Sequence, residues 1–190
     1  MPSNAFTTTL DQMLRDAVAL IDTYDRLVAL VPPPQDELDA VTRAVVVACL
    51  SAWEAFVEEL VIEAVEALRP PVGPLGSWPS HKATVLGETK RFNTPNPENV
   101  KTLLSLTLGL PDLTQGWSWP GYTTAVAVQD LTNAMRLRNQ IAHGVNPRPT
   151  VSYQYASRLL DFFRELGLAA DQTVRAHLVN ALAVPAPWPP

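Results

Sequence analysis

The sequence predicts an all-α protein, a helical bundle of about five helices with one long irregular insertion. Apolar residues recur at three- and four-residue steps, no stretch alternates as a strand would, and Pro or Gly clusters separate the periodic stretches. The 190 residues, 47% hydrophobic and 17% charged, suffice for one hydrophobic core. We therefore expect a single domain over residues 1–184, an insertion over about 70–122, and a Pro-rich tail over 185–190 that is extended or disordered.

The first two helices are predicted on either side of a proline run. The first should extend from about Thr8 to Val31, where Pro32–Pro34 ends it, because proline lacks an amide proton and fixes φ. Asp36 is expected to cap the second helix, which reaches about Leu68. The middle of this helix is apolar almost all round, so it should be the central helix of the bundle, or partly a subunit contact.

The insertion is rich in turn residues and contains one short predicted helix, over about 98–108. Trp78, Trp117 and Trp119 also lie within it. We expect these indoles to form a small satellite core that pins the insertion. The alternative, that they stack on bases, is supported only by the residue type.

Three further helices are predicted after the insertion. A helix over about 123–143 should end at Gly144, which is a favoured residue just beyond a helix C-terminus and is followed by prolines. Another should cover about 151–166 and be broken by Gly167. The last should be capped near Asp171.

Composition excludes several classes of protein. No apolar run reaches the roughly 18 to 20 residues of a membrane span, and the first residues lack the pattern of a secretory signal. The lone Cys49 excludes an internal disulfide framework and a CxxC zinc site, and the three scattered His residues predict no multi-His metal centre. We expect a cytoplasmic protein without a bound metal or cofactor.

The net charge of −5 is unevenly distributed along the chain. Residues 1–70 carry four Arg against twelve Asp and Glu, whereas residues 131–190 carry six Arg against three acidic residues. This asymmetry permits a local site for an anionic ligand in the C-terminal third. It does not support an extended surface for duplex nucleic acid.

One charged residue falls on an otherwise apolar helix face. On a helical wheel with Leu131 at zero, Arg138 lies at about 340°, in the middle of the apolar arc. A guanidinium keeps its charge and is costly to bury unpaired, so Arg138 needs either an acidic partner or a cleft in which an anion binds. Glu54, flanked by apolar positions on the second helix, is the best acidic candidate for a structural pair.

The order of residues around Arg138 supports a binding role. In Arg138-Asn139-Gln140-Ile141-Ala142-His143, an Arg precedes a His by five positions at the end of a predicted helix. This resembles the Rx4–6H motif of the HEPN superfamily (higher eukaryotes and prokaryotes nucleotide-binding). The segment ACLSAWEAFVEELVIEAV also resembles the preceding long helix of the HEPN proteins grouped with ribonuclease L-type RNases and toxin–antitoxin toxins. The likeness covers about residues 38–68 and 124–168.

The resemblance implies a specific chemistry. HEPN ribonucleases are helical bundles that pair as dimers, unite two such motifs in one cleft, and cleave RNA without a metal by attack of a ribose 2′-hydroxyl on the adjacent phosphate. On this chain, Arg138 would bind the scissile phosphate, His143 would move the proton, and Asn139 would orient the phosphate or the His. A His titrates near neutral pH, and a fixed guanidinium stabilises developing negative charge.

The chain departs from the motif in two respects. Arg138 and His143 are five residues apart, about 140° on a regular helix, so they do not simply face each other. Arg136 also satisfies the loose form of the motif; Arg138 is preferred because Asn139 follows it and because it lies on the apolar stripe. Toxins paired with nucleotidyltransferase antitoxins usually carry Tyr two residues after the His. Here that residue is Val145, so silencing by tyrosine adenylylation at this position is not implied.

These observations predict a metal-independent endoribonuclease, a toxin or phage-defence effector that acts as a homodimer on RNA, with a cognate antitoxin or regulatory protein as a further partner. The alternative is a non-catalytic HEPN-like module in which Arg138 and Glu54 form a structural pair and the protein binds a nucleotide or a protein partner. The acidic first 70 residues favour this alternative, and the RNQIAH motif favours the enzyme.

Overall fold

A computed structural model of the chain describes residues 1–70, 76–144 and 147–188. Within these ranges the chain is all-α, as predicted, and its only strand-like pairing is one isolated bridge between Trp119 and Tyr122. A π-helical segment, Ala5–Leu10, leads into the first α-helix, and a 3-10 turn, Leu113–Gly116, lies between the fourth and the fifth. The α-helices are α1 (Asp11–Val28), α2 (Gln35–Ala67), α3 (Trp78–Thr89), α4 (Pro97–Leu108), α5 (Thr124–Ala142) and α6 (Tyr153–Asn180).

Helix α2 is the central helix of the bundle, which confirms the prediction from its apolar middle. It contacts all five other α-helices, and Trp53 and Phe56 on it are fully buried. Burial raises the pKa of the Cys49 thiol to about 12, so this cysteine is a protonated core residue. The predicted cap is wrong: Pro34 precedes the helix, and Asp36 lies inside the first turn, where its charge still favours the helix dipole.

Helix α6 continues through Gly167, so the predicted break there is wrong. The glycine has a packing role instead, because a Cβ atom at this position would lie 2.2 Å from Cδ2 of Leu10. The missing side chain lets the N-terminal segment close against α6. This close approach offsets the loss of about 1 kcal/mol that glycine brings to a helix interior.

Asp171 does not cap a separate last helix, which corrects the second prediction for this region. Its side chain is 1% exposed and accepts a hydrogen bond of 3.0 Å from the backbone N–H of Ser3. Glu63 on α2 accepts the next two backbone N–H groups, those of Asn4 and Ala5. Two carboxylates from distant parts of the chain therefore satisfy the free N–H groups at the start of the first helical segment.

The insertion is more regular than predicted. Helix α4 confirms the short predicted helix, and the side chain of Asn96 caps it by accepting the Asn99 N–H. Helix α3 was not predicted from the sequence. Its hydrophobic periodicity is weak, because only Val85 and Thr89 are buried along its twelve residues.

The insertion tryptophans do not form a satellite core of their own, because Trp117 and Trp119 pack against the main core and Trp78 is bonded to α2. Trp117 is fully buried, with its ring edge-on to Trp53 at a centroid distance of 6.0 Å. The indole N–H of Trp78 donates to the carbonyl oxygen of Val65 on α2 at 3.0 Å. Trp119 is partly buried against the same core. The expected pinning of the insertion is therefore achieved through α2 and its neighbours.

The tail has no helix over 185–188, as expected, but it is anchored to the bundle by a buried side chain. Trp188 is only 5% exposed and belongs to the hydrophobic core. An indole removes enough apolar surface from water to hold a short segment against the bundle. The last two residues, 189–190, lie outside the described part of the chain.

No helix in the described ranges is both long enough and apolar enough to cross a membrane.

Candidate functional site

Helix α5 carries the candidate residues and is held by its apolar stripe. Thr123 caps its start, and Leu131, Ala134 and Met135 on the predicted apolar arc are buried, whereas Ala142 on the same arc is exposed. The helix packs against α2. Arg138 lies on the same stripe, one turn beyond the last buried residues, and is half-buried. The guanidinium therefore lies at the boundary between the buried part of α5 and its exposed C-terminal end.

The end of α5 places the candidate histidine at the surface. His143 is the C-cap residue, and its backbone N–H donates to the carbonyl oxygen of Asn139 at 3.0 Å. Gly144 follows with a left-handed φ of +61°, which confirms the predicted helix stop. Asn139 and His143 are both exposed. Their side chains are accessible to a large ligand such as a nucleic acid.

Arg138 and Asn139 are brought together, whereas His143 stands apart from them. An Arg138 guanidinium N–H donates to Oδ1 of Asn139 at 3.5 Å, a long and weak hydrogen bond. In the described chain no hydrogen bond joins the His143 ring to either side chain. Five helical residues separate the Arg from the His, which is about 140° around the axis.

Glu54 interacts with Arg138 through its charge but does not form the expected contact pair. Burial raises the pKa of the Glu54 carboxyl group, and the positive charge of Arg138 acts in the opposite direction. Among the described residues, no carboxylate oxygen lies within 4.0 Å of the Arg138 guanidinium. Most of the Arg138 donors are therefore left for another ligand.

Glu58 lies beside Glu54 and was not among the residues predicted from the sequence. It lies one helical turn after Glu54 on α2, and burial followed by the negative charges of Glu54 and Glu59 raises its pKa. Two half-buried carboxylates thus lie one above the other on the helix that α5 contacts. The four-residue spacing was the signal that could have identified this pair.

The structure distinguishes the two candidate arginines by their surroundings. Arg136 is exposed, whereas Arg138 is half-buried and feels the field of Glu54. A partly buried guanidinium acts in a lower dielectric and so interacts more strongly with a bound anion. Of the two arginines, Arg138 is therefore the one whose surroundings would strengthen an interaction with an anion.

In the ranges 1–70, 76–144 and 147–188, no group of three or more His, Cys, Asp and Glu side chains is arranged to hold a metal ion. Val145, the residue at the position of the toxins' tyrosine, lies outside the described residues.

The comparison with protein families identifies one matching family. The family model described as RiboL-PSP-HEPN matches residues 12–176, a range that contains α2, α5 and most of α6. It also contains the insertion, which the resemblance in the sequence did not cover. Searches of curated proteins and of solved structures find no match.

Proposed function

Since the chain belongs to the RiboL-PSP-HEPN family, a family of HEPN domains, we propose that it is an endoribonuclease that cleaves RNA without a metal ion. HEPN domains serve as ribonucleases or nucleotide-related helical modules, and the residues at the end of α5 support the ribonuclease role. The observation that carries the proposal is that a half-buried Arg138 and an exposed His143 both lie at the C-terminal end of α5.

The chemistry needs only an acid–base group and an anion ligand. The ribose 2′-hydroxyl attacks the adjacent phosphorus and loses its proton, while the bond from phosphorus to the 5′-oxygen breaks and that oxygen gains a proton. His143 moves the proton, and Arg138 stabilises the negative charge that develops on the phosphate oxygens. Asn139, in contact with Arg138, orients the guanidinium or the phosphate.

A second copy of the chain completes the site in this proposal. A single chain holds one Arg138 and one His143, on different sides of α5, so one motif alone does not surround a phosphate. A twofold axis beside the end of α5 would bring two arginines and two histidines to one RNA strand.

The assembly prediction is a homodimer in solution at micromolar concentration, with the two Arg138–His143 segments near the twofold axis. Light scattering coupled to size-exclusion chromatography measures the mass directly. A folded monomer of 20.8 kDa with full cleavage activity would contradict the composite site.

The biological role that we propose is that of a cytoplasmic toxin or phage-defence effector, restrained by a cognate antitoxin or regulatory protein. An RNA nuclease with an open site damages its own cell, so its activity must be controlled. The exposed side chains of Asn139 and His143 support this role, because a partner protein can cover them directly.

A non-catalytic helical module is the alternative, and one observation favours it. Arg138 and Glu54 interact through their charges, as a structural pair on facing helices would. In that case Arg138 would stabilise the contact between α2 and α5, and the protein would bind a nucleotide or a protein partner.

The experiment that tests the proposed function is incubation of the purified protein with total RNA in EDTA. Cleavage is expected to persist and to leave a 2′,3′-cyclic phosphate and a 5′-hydroxyl, because the attacking group is the ribose 2′-hydroxyl. Product ends can be mapped by their reactivity with polynucleotide kinase. Products with 3′-hydroxyl ends, or activity restored only by a divalent ion, would rule the mechanism out.

A further inference from the structure

A groove between the end of α3 and one side of α4 lies outside the residues assigned to catalysis. Its cavity measures about 160 Å³. Sites for whole small molecules are typically about 300–1,000 Å³, so this groove has room for one ring-sized group rather than for a large ligand.

The wall of the groove is aromatic and aliphatic. Phe92, in the turn after α3, is half-buried, and Leu103 on α4, which also lines the groove, is buried. Leu106, one turn further along α4, leaves 68% of its surface exposed. These side chains offer an apolar surface on which the flat face of a planar ring can stack.

Polar groups surround this apolar wall. Asn99 uses its side-chain N–H to donate to the carbonyl oxygen of Thr94 at 2.9 Å, which leaves its Oδ1 as an acceptor. Asn93 accepts from the Thr94 hydroxyl, which leaves its amide N–H groups as donors. Thr102 adds an exposed hydroxyl. The edge of a nucleobase carries both donors and acceptors, and carboxamides can read such an edge.

A cation stands at the mouth of the groove. The Arg91 side chain is 78% exposed, and its partner is Glu88, at 3.0 Å on the same surface. Exposed ion pairs of this kind are weak, so the guanidinium can exchange the carboxylate for a phosphate.

The charge of the surrounding segment has the sign that a nucleic acid requires. Residues 69–101 carry five basic residues against two acidic ones, and they include every lysine in the chain. Residues 1–68 carry three basic against twelve acidic residues. A polyanion is therefore attracted to the α3–α4 side and repelled by much of α1 and α2.

The groove is tied to the segment of α2 that faces the candidate active site. The indole N–H of Trp53 donates to the carbonyl oxygen of Pro95, in the linker between α3 and α4, at 2.9 Å. The next residue on α2 is Glu54, which feels the charge of Arg138. The linker that leads from the groove to α4 and the Arg138 side chain thus lie near the same turn of α2.

We propose that this groove binds one unpaired nucleotide of the substrate RNA, with its base against Phe92 between Asn93 and Asn99 and its phosphate on Arg91. This inference rests on the proposed function, because it assigns an RNA substrate to the protein. It also specifies the substrate class: since bases in a duplex are paired and stacked, the groove selects single-stranded RNA.

The test uses the full chain carrying His143→Ala, so that bound RNA is not cleaved. Two groove changes are added separately: Arg91→Glu, which reverses the charge, and Thr102→Trp, which fills the groove. Arg15→Glu, on the exposed side of α1, is the control with the same change in charge. Fluorescence anisotropy with labelled single-stranded and duplex oligoribonucleotides measures affinity, and thermal melting checks folding.

Both groove variants should weaken the binding of single-stranded RNA by about tenfold, within the range that loss of one stacked base produces. Arg15→Glu should change the affinity much less, and ultraviolet crosslinking of 4-thiouridine RNA should label the segment around Phe92. Equal losses in all three variants, or undiminished affinity in both groove variants, would overturn the inference. RNA binding that is unchanged while the same variants lose a protein partner would also overturn it, because the groove would then hold a protein.

The result also separates this inference from the proposed function. If the wild type cleaves RNA and the groove variants bind RNA normally, only the groove assignment fails. If the wild type cleaves no RNA but the groove variants still reduce RNA binding, the ribonuclease proposal fails and the groove assignment stands.

Discussion

Replacement of His143 by alanine is expected to lower the rate of RNA cleavage by about 10²–10⁴-fold, the usual contribution of a general acid–base group. The melting temperature should hardly change, because the side chain is exposed at the C-terminal end of α5 and its truncation removes little packing. The backbone hydrogen bond from His143 to Asn139 is retained in the variant.

The measurement is the initial rate of cleavage of a defined RNA, with thermal melting of the same preparations. His81→Ala is the matched control, since it removes the same imidazole from α3, away from the motif. Full activity in His143→Ala would refute the catalytic assignment. Loss of activity accompanied by an equal loss of folded protein would support the non-catalytic alternative.

Replacement of Arg138 by alanine is expected to reduce cleavage by about 10²–10³-fold, which is typical for the loss of one group that stabilises transition-state charge. Arg136→Ala, two residues away on an exposed position, should have a much smaller effect. A larger effect of Arg136→Ala than of Arg138→Ala would show that Arg136 is the arginine of the motif.

The stability of Arg138→Ala should depend on pH. Burial raises the pKa of Glu54, and the charge of Arg138 partly offsets that rise, so Arg138 stabilises the fold only when Glu54 is ionised. The variant should therefore melt below the wild type at neutral pH, and the difference should disappear as the pH falls below the pKa of Glu54. The loss at neutral pH should be well below that of a broken buried ion pair, because the two side chains are not in contact within 4.0 Å.

The candidate site could be located from the sequence only in part. The order of Arg138, Asn139 and His143, together with a helix stop at Gly144, was readable because such signals are local. The environment of each side chain could not be predicted from the sequence. That Arg138 keeps most of its donors free while its charge acts on Glu54 depends on how α5 lies across α2. The burial of Glu58 beside Glu54 likewise depends on the packing around α2.

By itself the sequence determined the helical class, the central position of α2 and the end of α5, because periodicity, proline runs and a C-terminal glycine act over a few residues. Only the tertiary structure decided the rest. Gly167 reads as a helix breaker, yet a neighbouring leucine from the N-terminal segment makes it a point of close packing within one continuous helix. Asp171 reads as a cap, yet its hydrogen-bond partner is 168 residues away at Ser3. Such contacts join positions far apart in the chain, so no local pattern of residues encodes them.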